Sequence, residues 1–123
     1  MKNLLTLILI INLFLFSCKK AGLGGKATIH VHVINGNINM PYVDVNVNFN
    51  ETGYPGFFAV GDLVQAADNK GLAVFNNLKR GSYYFFVNAI IIDTLYPGGA
   101  QVDVENKKGE QHIVIDLAED FPL

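Results

Sequence analysis

Beyond residue 27, apolar and polar residues alternate along the chain in short runs with a period of two. The clearest run covers residues 42–49, where valines and a phenylalanine alternate with aspartate and asparagine. Residues 28–34 and 111–117 show the same alternation. A period of two is typical of β-strands with one buried face. The sequence therefore predicts extended structure, not helix, for this part of the chain.

Turn-forming residues separate these runs at regular intervals. Asp68 to Gly71 is predicted to form a tight hairpin turn, because glycine adopts the positive φ that a Cβ disfavours. Residues 82–92 are apolar on both faces, which is typical of a strand in the middle of a sheet. Further turns or loops are predicted at residues 35–41, 50–61, 76–81 and 93–99. Together these features predict an all-β domain, a single antiparallel β-sandwich of about seven strands.

The N-terminus has a different pattern. Residues 4–16 form an apolar run, which follows Lys2 and is interrupted only by Thr6 and Asn12. As a helix this run would span about 20 Å, too short for a bilayer core of about 30 Å. We therefore predict that residues 1–17 are the helix of a signal peptide that is removed on export.

The apolar run ends at Leu15-Phe16-Ser17-Cys18, which holds the only cysteine of the chain. This resembles the lipobox of bacterial lipoprotein precursors, in which an aliphatic residue stands three positions before the cysteine and a small residue directly before it. The resemblance implies cleavage before Cys18 and lipidation of its thiol, and several acyl chains anchor a protein almost irreversibly. The alternative is an ordinary signal peptide followed by an incidental cysteine.

Charge and glycine content set the expected surroundings of the anchor. Without Lys2 the chain carries eight basic and eleven acidic residues, a net charge of −3, and no basic stripe, so nucleic acid is not an expected partner. Lys19, Lys20 and Lys26 cluster beside Cys18, where they would meet anionic head groups of the membrane.

The same stretch determines the predicted domain boundaries. Residues 18–26 are rich in glycine and are predicted to form the lipidated cysteine with a flexible tether. Residues 27–123 are predicted to form the sandwich domain. In enteric bacteria, an aspartate directly after the lipidated cysteine retains a lipoprotein in the inner membrane. This chain has Lys19 and Lys20 after Cys18 instead. By this resemblance, we expect an outer-membrane lipoprotein that is periplasmic or exposed at the cell surface.

One set of spaced residues resembles a known family signature: Asp68-x-x-Gly71-x-x-x-Phe75-x-x-Leu78-x-x-Gly81-x-Tyr83. It is similar to the signature of carboxypeptidase-regulatory-like domains, which are transthyretin-like (prealbumin-like) or Ig-like β-sandwiches. The resemblance implies that Phe75 points inward, that Leu78 closes one end of the sandwich, and that Tyr83 lies in a central strand. Members of this family are usually accessory modules, which implies a non-catalytic role.

Residue types that carry chemistry are sparse beyond the signal peptide. Ser82 is the only serine there, and it lacks the glycine-flanked pattern of a nucleophile elbow. Lipidation of Cys18 would leave no thiol, and the sequence pairs no two carboxylates as acid and base. Neither a phosphate loop nor a dinucleotide fingerprint is present. We therefore predict that the protein is not an enzyme and carries no cofactor, apart from the metal considered next.

The three histidines form the main candidate site. His30 and His32 are two apart on a predicted strand, so both point to its outer face. His112 points outward on the last predicted strand, with Asp116 on the same face. If these strands are neighbours, the four side chains could converge on Zn²⁺ or Cu²⁺. Equally, outward positions of strands take polar residues in general, and histidine is one of them.

Aromatic residues offer a second candidate surface. Exposed rings would stack on sugars or on a partner protein, whereas rings that fold back would cover the sandwich. The candidate rings are Tyr54, Phe57, Phe58 and Tyr96, with Tyr84 and Phe86 as further members.

Together, the sequence predicts a lipid-anchored cell-envelope protein with a non-catalytic binding or structural module, whose partner is an envelope protein or a glycan. The alternatives are a metal-binding periplasmic lipoprotein and a carbohydrate-binding accessory protein.

Overall fold

The computed structural model describes residues 20–91, 93–105 and 108–118. Within these residues the chain forms eight strands: β1 (Leu23–Asn35), β2 (Ile38–Asn39), β3 (Asp44–Phe49), β4 (Leu63–Ala66), β5 (Leu72–Leu78), β6 (Gly81–Ile91), β7 (Thr94–Val104) and β8 (Glu110–Asp116). None of the described residues is helical, so no described helix could cross a membrane. The predicted all-β fold is confirmed. The predicted signal peptide, residues 1–17, and Cys18 lie outside the described residues.

The strands form two sheets of four. In the first sheet, β1 pairs antiparallel with β5 and, at its last two residues, with β2, while β8 lies on its other side. The second sheet has the order β4-β3-β6-β7 with antiparallel neighbours throughout. The β-sandwich is thus confirmed, with one departure from antiparallel pairing, because β8 runs parallel to β1. β6 has a neighbour on each side, as its two apolar faces predict.

The core is a single apolar layer between the two sheets. Alternate residues of each strand point into it, which explains the period of two in the sequence. Phe75 and Leu78 of β5 are buried, and the rings of Phe75 and Phe85 meet edge to face at 5.1 Å. Every residue of the described core lies between Ala21 and Leu117.

The flexible tether predicted for residues 18–26 is corrected in its described part. Ala21 is only 6% exposed, and β1 begins at Leu23. The Ala21 N–H donates to Oδ1 of Asn50 (3.0 Å). The glycines serve close packing here, since a Cβ at Gly25 would lie 2.1 Å from the carbonyl oxygen of Leu78. The segment from Ala21 onward is therefore part of the sandwich.

The loop predicted for residues 93–99 is a second correction, because these residues lie in the turn and first half of β7. β7 is an edge strand, and an edge strand tolerates Pro97 because one side of it needs no N–H donor. Gly99 makes room for a ring, since a Cβ there would lie 2.5 Å from the hydroxyl of Tyr84. Tyr84 and Phe86, considered above as exposed rings, are both buried.

Candidate functional site

The outer face of the first sheet brings two histidines together. β1 and β8 lie side by side in a register that places His30 directly opposite His112. Because Ile29 and Val31 point into the core, both histidines point outward. Their rings stack with centroids 4.3 Å apart and planes 7° from parallel. The first and last strands are therefore neighbours, which is the condition under which the sequence predicted convergence.

Glu110 is the third member of this cluster. Its Oε1 lies 2.5 Å from Nε2 of His30. One ligand atom from each of His30, Glu110 and His112 can be chosen such that all lie within 4.8 Å of one another. Sequence reasoning missed Glu110, although a signal was available. Glu110 stands two residues before His112, so the two share a strand face.

The other two predicted ligands lie elsewhere. Nε2 of His32 is 2.8 Å from Oδ1 of Asn39, on the short strand β2. Oδ1 of Asp116 accepts hydrogen bonds from the N–H of Gly36 (2.9 Å) and of Ala118 (3.0 Å). Asp116 therefore stabilises the turn after β1. It lies four residues beyond His112, about 13 Å along an extended strand, which is too far to share an ion.

Two histidines and a glutamate form a ligand set known from zinc sites with an open coordination position. The stacked geometry sets a condition on metal binding. The lone pair of an imidazole nitrogen lies in the plane of its ring, so two parallel rings cannot both direct lone pairs at one ion. One ring must rotate, and Glu110 must turn from hydrogen bonding with His30 to coordinating the ion.

The histidines are surrounded by exposed apolar side chains. Val74 lies opposite His30 across the β1–β5 pair. In the adjacent row, His32 lies between Leu72 of β5 and Val114 of β8. All three apolar side chains are exposed. The outer face of the first sheet is thus a mixed surface of imidazole rings and aliphatic groups.

The predicted aromatic surface is only partly assembled. Tyr54 is half-buried: its hydroxyl donates to Oδ1 of Asn88, and its ring packs edge-on against Phe86. Burial raises the pKa of Tyr54 above its usual value. Tyr96 also packs against the core. Phe58 projects into solvent with 97% of its surface exposed, whereas Phe57 is 44% exposed and meets the ring of Tyr54 edge-on at 6.0 Å. A carbohydrate-stacking role would rest on Phe57 and Phe58, and it stays a prediction.

Comparisons with known proteins give little further direction. No protein-family model matches the chain, and no curated protein sequence matches it. Among solved structures, it is similar to the major pilin subunit of Bacillus cereus, BcpA, in its D312A form. The identity is 16%, the TM-score is 0.49, and the match covers 75% of this chain and 30% of the pilin chain. The likeness carries no argument about function, and the carboxypeptidase-regulatory-like resemblance stays a prediction.

Proposed function

We propose that the protein is a lipid-anchored cell-envelope lipoprotein of the outer membrane, whose β-sandwich is a non-catalytic binding or structural module. The observation that carries this proposal is the position of the only cysteine. Cys18 stands two residues after the apolar run of residues 4–16, and Ala21, three residues further on, is the first residue of the described core. The signal sequence, the anchor and the domain therefore follow one another without a gap.

The short distance between anchor and domain has a geometric consequence. An extended chain spans at most about 3.6 Å per residue, so Cys18 lies within about 11 Å of Ala21. Ala21 is fixed at the end of the sandwich where Lys79 follows β5, because the Lys79 N–H donates to the carbonyl of Gly22 (2.8 Å). We call this end the base of the sandwich. A lipid on Cys18 would hold the base next to the bilayer.

The surroundings of Ser82 and the outer face support a binding role over catalysis. The hydroxyl of Ser82 donates to Oδ1 of Asp103 (2.8 Å) on the second sheet, whereas the histidines lie on the first sheet. No described imidazole is therefore placed to activate this hydroxyl. Leu72, Val74 and Val114 are exposed apolar groups on the same face as the histidines, and exposed apolar patches are typical of surfaces that bind other proteins.

Metabolic labelling with an alkyne-bearing palmitate analogue tests the anchor in a bacterial host that processes lipoproteins. We expect label on the wild-type protein, and a mature mass equal to residues 18–123 plus the acyl groups. The matched control is Cys18→Ser, which changes one atom and lies outside the described core. It should lose the label and stay unprocessed. An unlabelled wild-type protein, or cleavage at another residue, would disprove lipid anchoring.

Metal binding is a second candidate function, favoured by the convergence of His30, Glu110 and His112. A zinc titration followed by NMR of the imidazole resonances tests it. We expect the His30 and His112 signals to shift together, and Glu110→Gln to weaken binding. His32 is an internal control, because Asn39 holds it away from the pair. Shifts at His32 with none at His30 would rule out this site, and a titration with Cu²⁺ would test the other candidate ion.

A further inference from the structure

Five basic residues surround one depression at the base of the sandwich. The depression has a volume of about 330 Å³. We call it the basal depression, and its lining residues are Lys20, Gly25, Lys26, Leu78, Lys79, Arg80 and Lys108. The exposed lining of the depression is mainly apolar. Long lysine side chains supply such surface with their methylene groups while their charges stay in water.

The contacts that fix the N-terminal segment also bring these charges together. Gly22 binds Lys79 through the backbone, and Gly25 packs directly against the carbonyl of Leu78. These contacts place the segment that contains Lys20 and Lys26 beside the turn between β5 and β6. Lys108 comes from the segment before β8. Residues far apart in sequence thus form one basic surface.

The positive charge is concentrated at this place. Six basic residues are described, and five of them line the basal depression. The sixth, Lys70, precedes the opposite end of β5, about 20 Å away along the strand. No acidic residue of the described ranges lines the depression. Asp103 and Glu105 line a neighbouring depression that shares Arg80, so the charge is strongest on the side of the lysines.

We propose that the basal depression binds the anionic head groups of phospholipids and holds the base of the sandwich against the bilayer surface. The proposal rests on the proposed lipid anchor, since Cys18 is two residues before Lys20 and would bring the depression to the membrane. Lysine ammonium groups donate hydrogen bonds to phosphate oxygens in many orientations. The anchor supplies attachment, and the depression supplies orientation.

Vesicle co-sedimentation tests this binding without the lipid. The protein is the mature chain, residues 18–123 with Cys18→Ser, which retains every residue of the described core. Circular dichroism first verifies its β-structure. We expect binding to vesicles that contain phosphatidylglycerol and none to phosphatidylcholine alone. The net charge of −3 opposes general attraction to an anionic surface, so binding must come from a local basic surface.

Matched variants locate the binding surface. Each near-surface lysine contributes on the order of fivefold in affinity, so Lys26→Gln and Lys79→Gln should each weaken binding about fivefold. Lys70→Gln makes the same charge change at the opposite end and should leave binding unchanged. Raising the salt concentration should release the protein. An equal loss in Lys70→Gln, or no binding of the folded wild-type chain to anionic vesicles, would overturn the proposal.

Two further outcomes distinguish head-group binding from a site for free phosphate and from the lipoprotein proposal. If inorganic phosphate displaces the protein from vesicles more strongly than chloride of equal ionic strength, the depression is a site for free phosphate, and the membrane proposal fails. The vesicle experiment contains no acylated cysteine. If the protein does not bind vesicles but is labelled with palmitate, the basal depression proposal fails and the lipoprotein proposal stands. If it binds vesicles but is not labelled, the lipoprotein proposal fails and the binding of head groups stands.

Discussion

The side chain of Asp68 organises the tight turn between β4 and β5, which is not the hairpin that the sequence predicted, because the two strands lie in different sheets. Its Oδ1 accepts hydrogen bonds from the backbone N–H of Lys70 (2.8 Å) and of Leu72 (3.0 Å), and its carbonyl accepts one from Gly71 (3.1 Å). These bonds, chiefly the one from Leu72, lower the pKa of Asp68 below its usual value. These three partners are within four residues, and only the Tyr42 N–H, which also donates to the Asp68 carbonyl (3.1 Å), comes from a distant segment. Sequence reasoning could therefore predict this turn, because its determinants are local.

Two features of the structure disfavour a side chain at position 71, the positive φ of Gly71 and its close contact with β1. Its φ is +80°, and a Cβ there would lie 2.6 Å from the carbonyl oxygen of Val33. Gly36 has a similar φ of +64° with nothing within 4 Å of the same position. Gly36→Ala should therefore cost only the left-handed strain, about 1–2 kcal/mol of unfolding free energy. Gly71→Ala should cost clearly more, because the backbone of β1 must also shift.

Urea denaturation of both variants measures this difference, with the wild-type chain as reference. Equal losses of stability in Gly71→Ala and Gly36→Ala would show that the contact with Val33 adds nothing to the backbone strain.

At the scale of strands, local alternation located most elements. The runs predicted at residues 42–49 and 111–117 correspond to Asp44–Phe49 and Glu110–Asp116. The second half of β7 was predicted as a strand over Ala100 to Val104, but its first half was missed, because Pro97-Gly98-Gly99 usually indicates a turn. Its pairing with β6 and the packing of Tyr84 against Gly99 are tertiary contacts, and no local pattern specifies them.

For the candidate metal site too, local alternation predicts some features and the tertiary structure determines the others. The outward direction of His30 and His112 follows from alternation, and so does that of Glu110, which the sequence analysis overlooked. Their convergence depends on the parallel pairing of β8 with β1, which only the topology provides. Asp116 was placed with the histidines because it shares their strand face, but its partner Gly36 comes from the turn after β1.

Packing between the sheets supplies the element-scale prediction. Phe75 of β5 is 2% exposed and contacts the ring of Phe85 on the opposite sheet. Phe75→Ala should lower the free energy of unfolding by about 3–5 kcal/mol, because it removes buried surface and leaves a cavity. Such a loss is a large share of the roughly 5–15 kcal/mol that stabilises a typical domain.

Phe58→Ala is the matched control, since it removes the same ring from a position that is 97% exposed. Its effect should stay within about 0.5 kcal/mol. Calorimetric melting of the two variants compares them directly, and a wild-type melting temperature in Phe75→Ala would contradict its place in the core.

At the scale of the whole molecule, Tyr83 joins three segments that are distant in sequence. Its hydroxyl accepts a hydrogen bond from the N–H of Gly22 (3.0 Å) and donates one to the carbonyl of Lys79 (2.6 Å). Its ring is fully buried and meets Phe49 edge to face at 5.7 Å. The glycine-x-tyrosine signature predicted a central strand for this residue, but the bond to Gly22 spans 61 positions and has no sequence signal.

This junction predicts a specific response to alkaline pH. Burial is the main cause that raises the pKa of Tyr83 above 10.0, and the hydrogen bond from the Gly22 N–H opposes that shift. Above pH 10 the unfolded chain therefore loses this proton before the folded chain does. The contribution of Tyr83 to stability is complete below pH 10 and falls as pH rises toward the folded-state pKa, by at most about 1.4 kcal/mol per pH unit.

Tyr83→Phe removes the hydroxyl and so tests both its hydrogen bonds at neutral pH and its ionisation at alkaline pH. At neutral pH the variant should be less stable by about 1–3 kcal/mol, because the Lys79 carbonyl loses its donor. Above pH 10 its stability should fall less steeply than that of the wild type. Tyr54, whose pKa is also raised, is present in both proteins and cancels in the comparison. Hydrogen exchange at Ala21 and Gly22 should quicken in the variant at neutral pH. Parallel pH profiles with unchanged exchange would mean that the Tyr83 hydroxyl does not hold the segment around Gly22 in place.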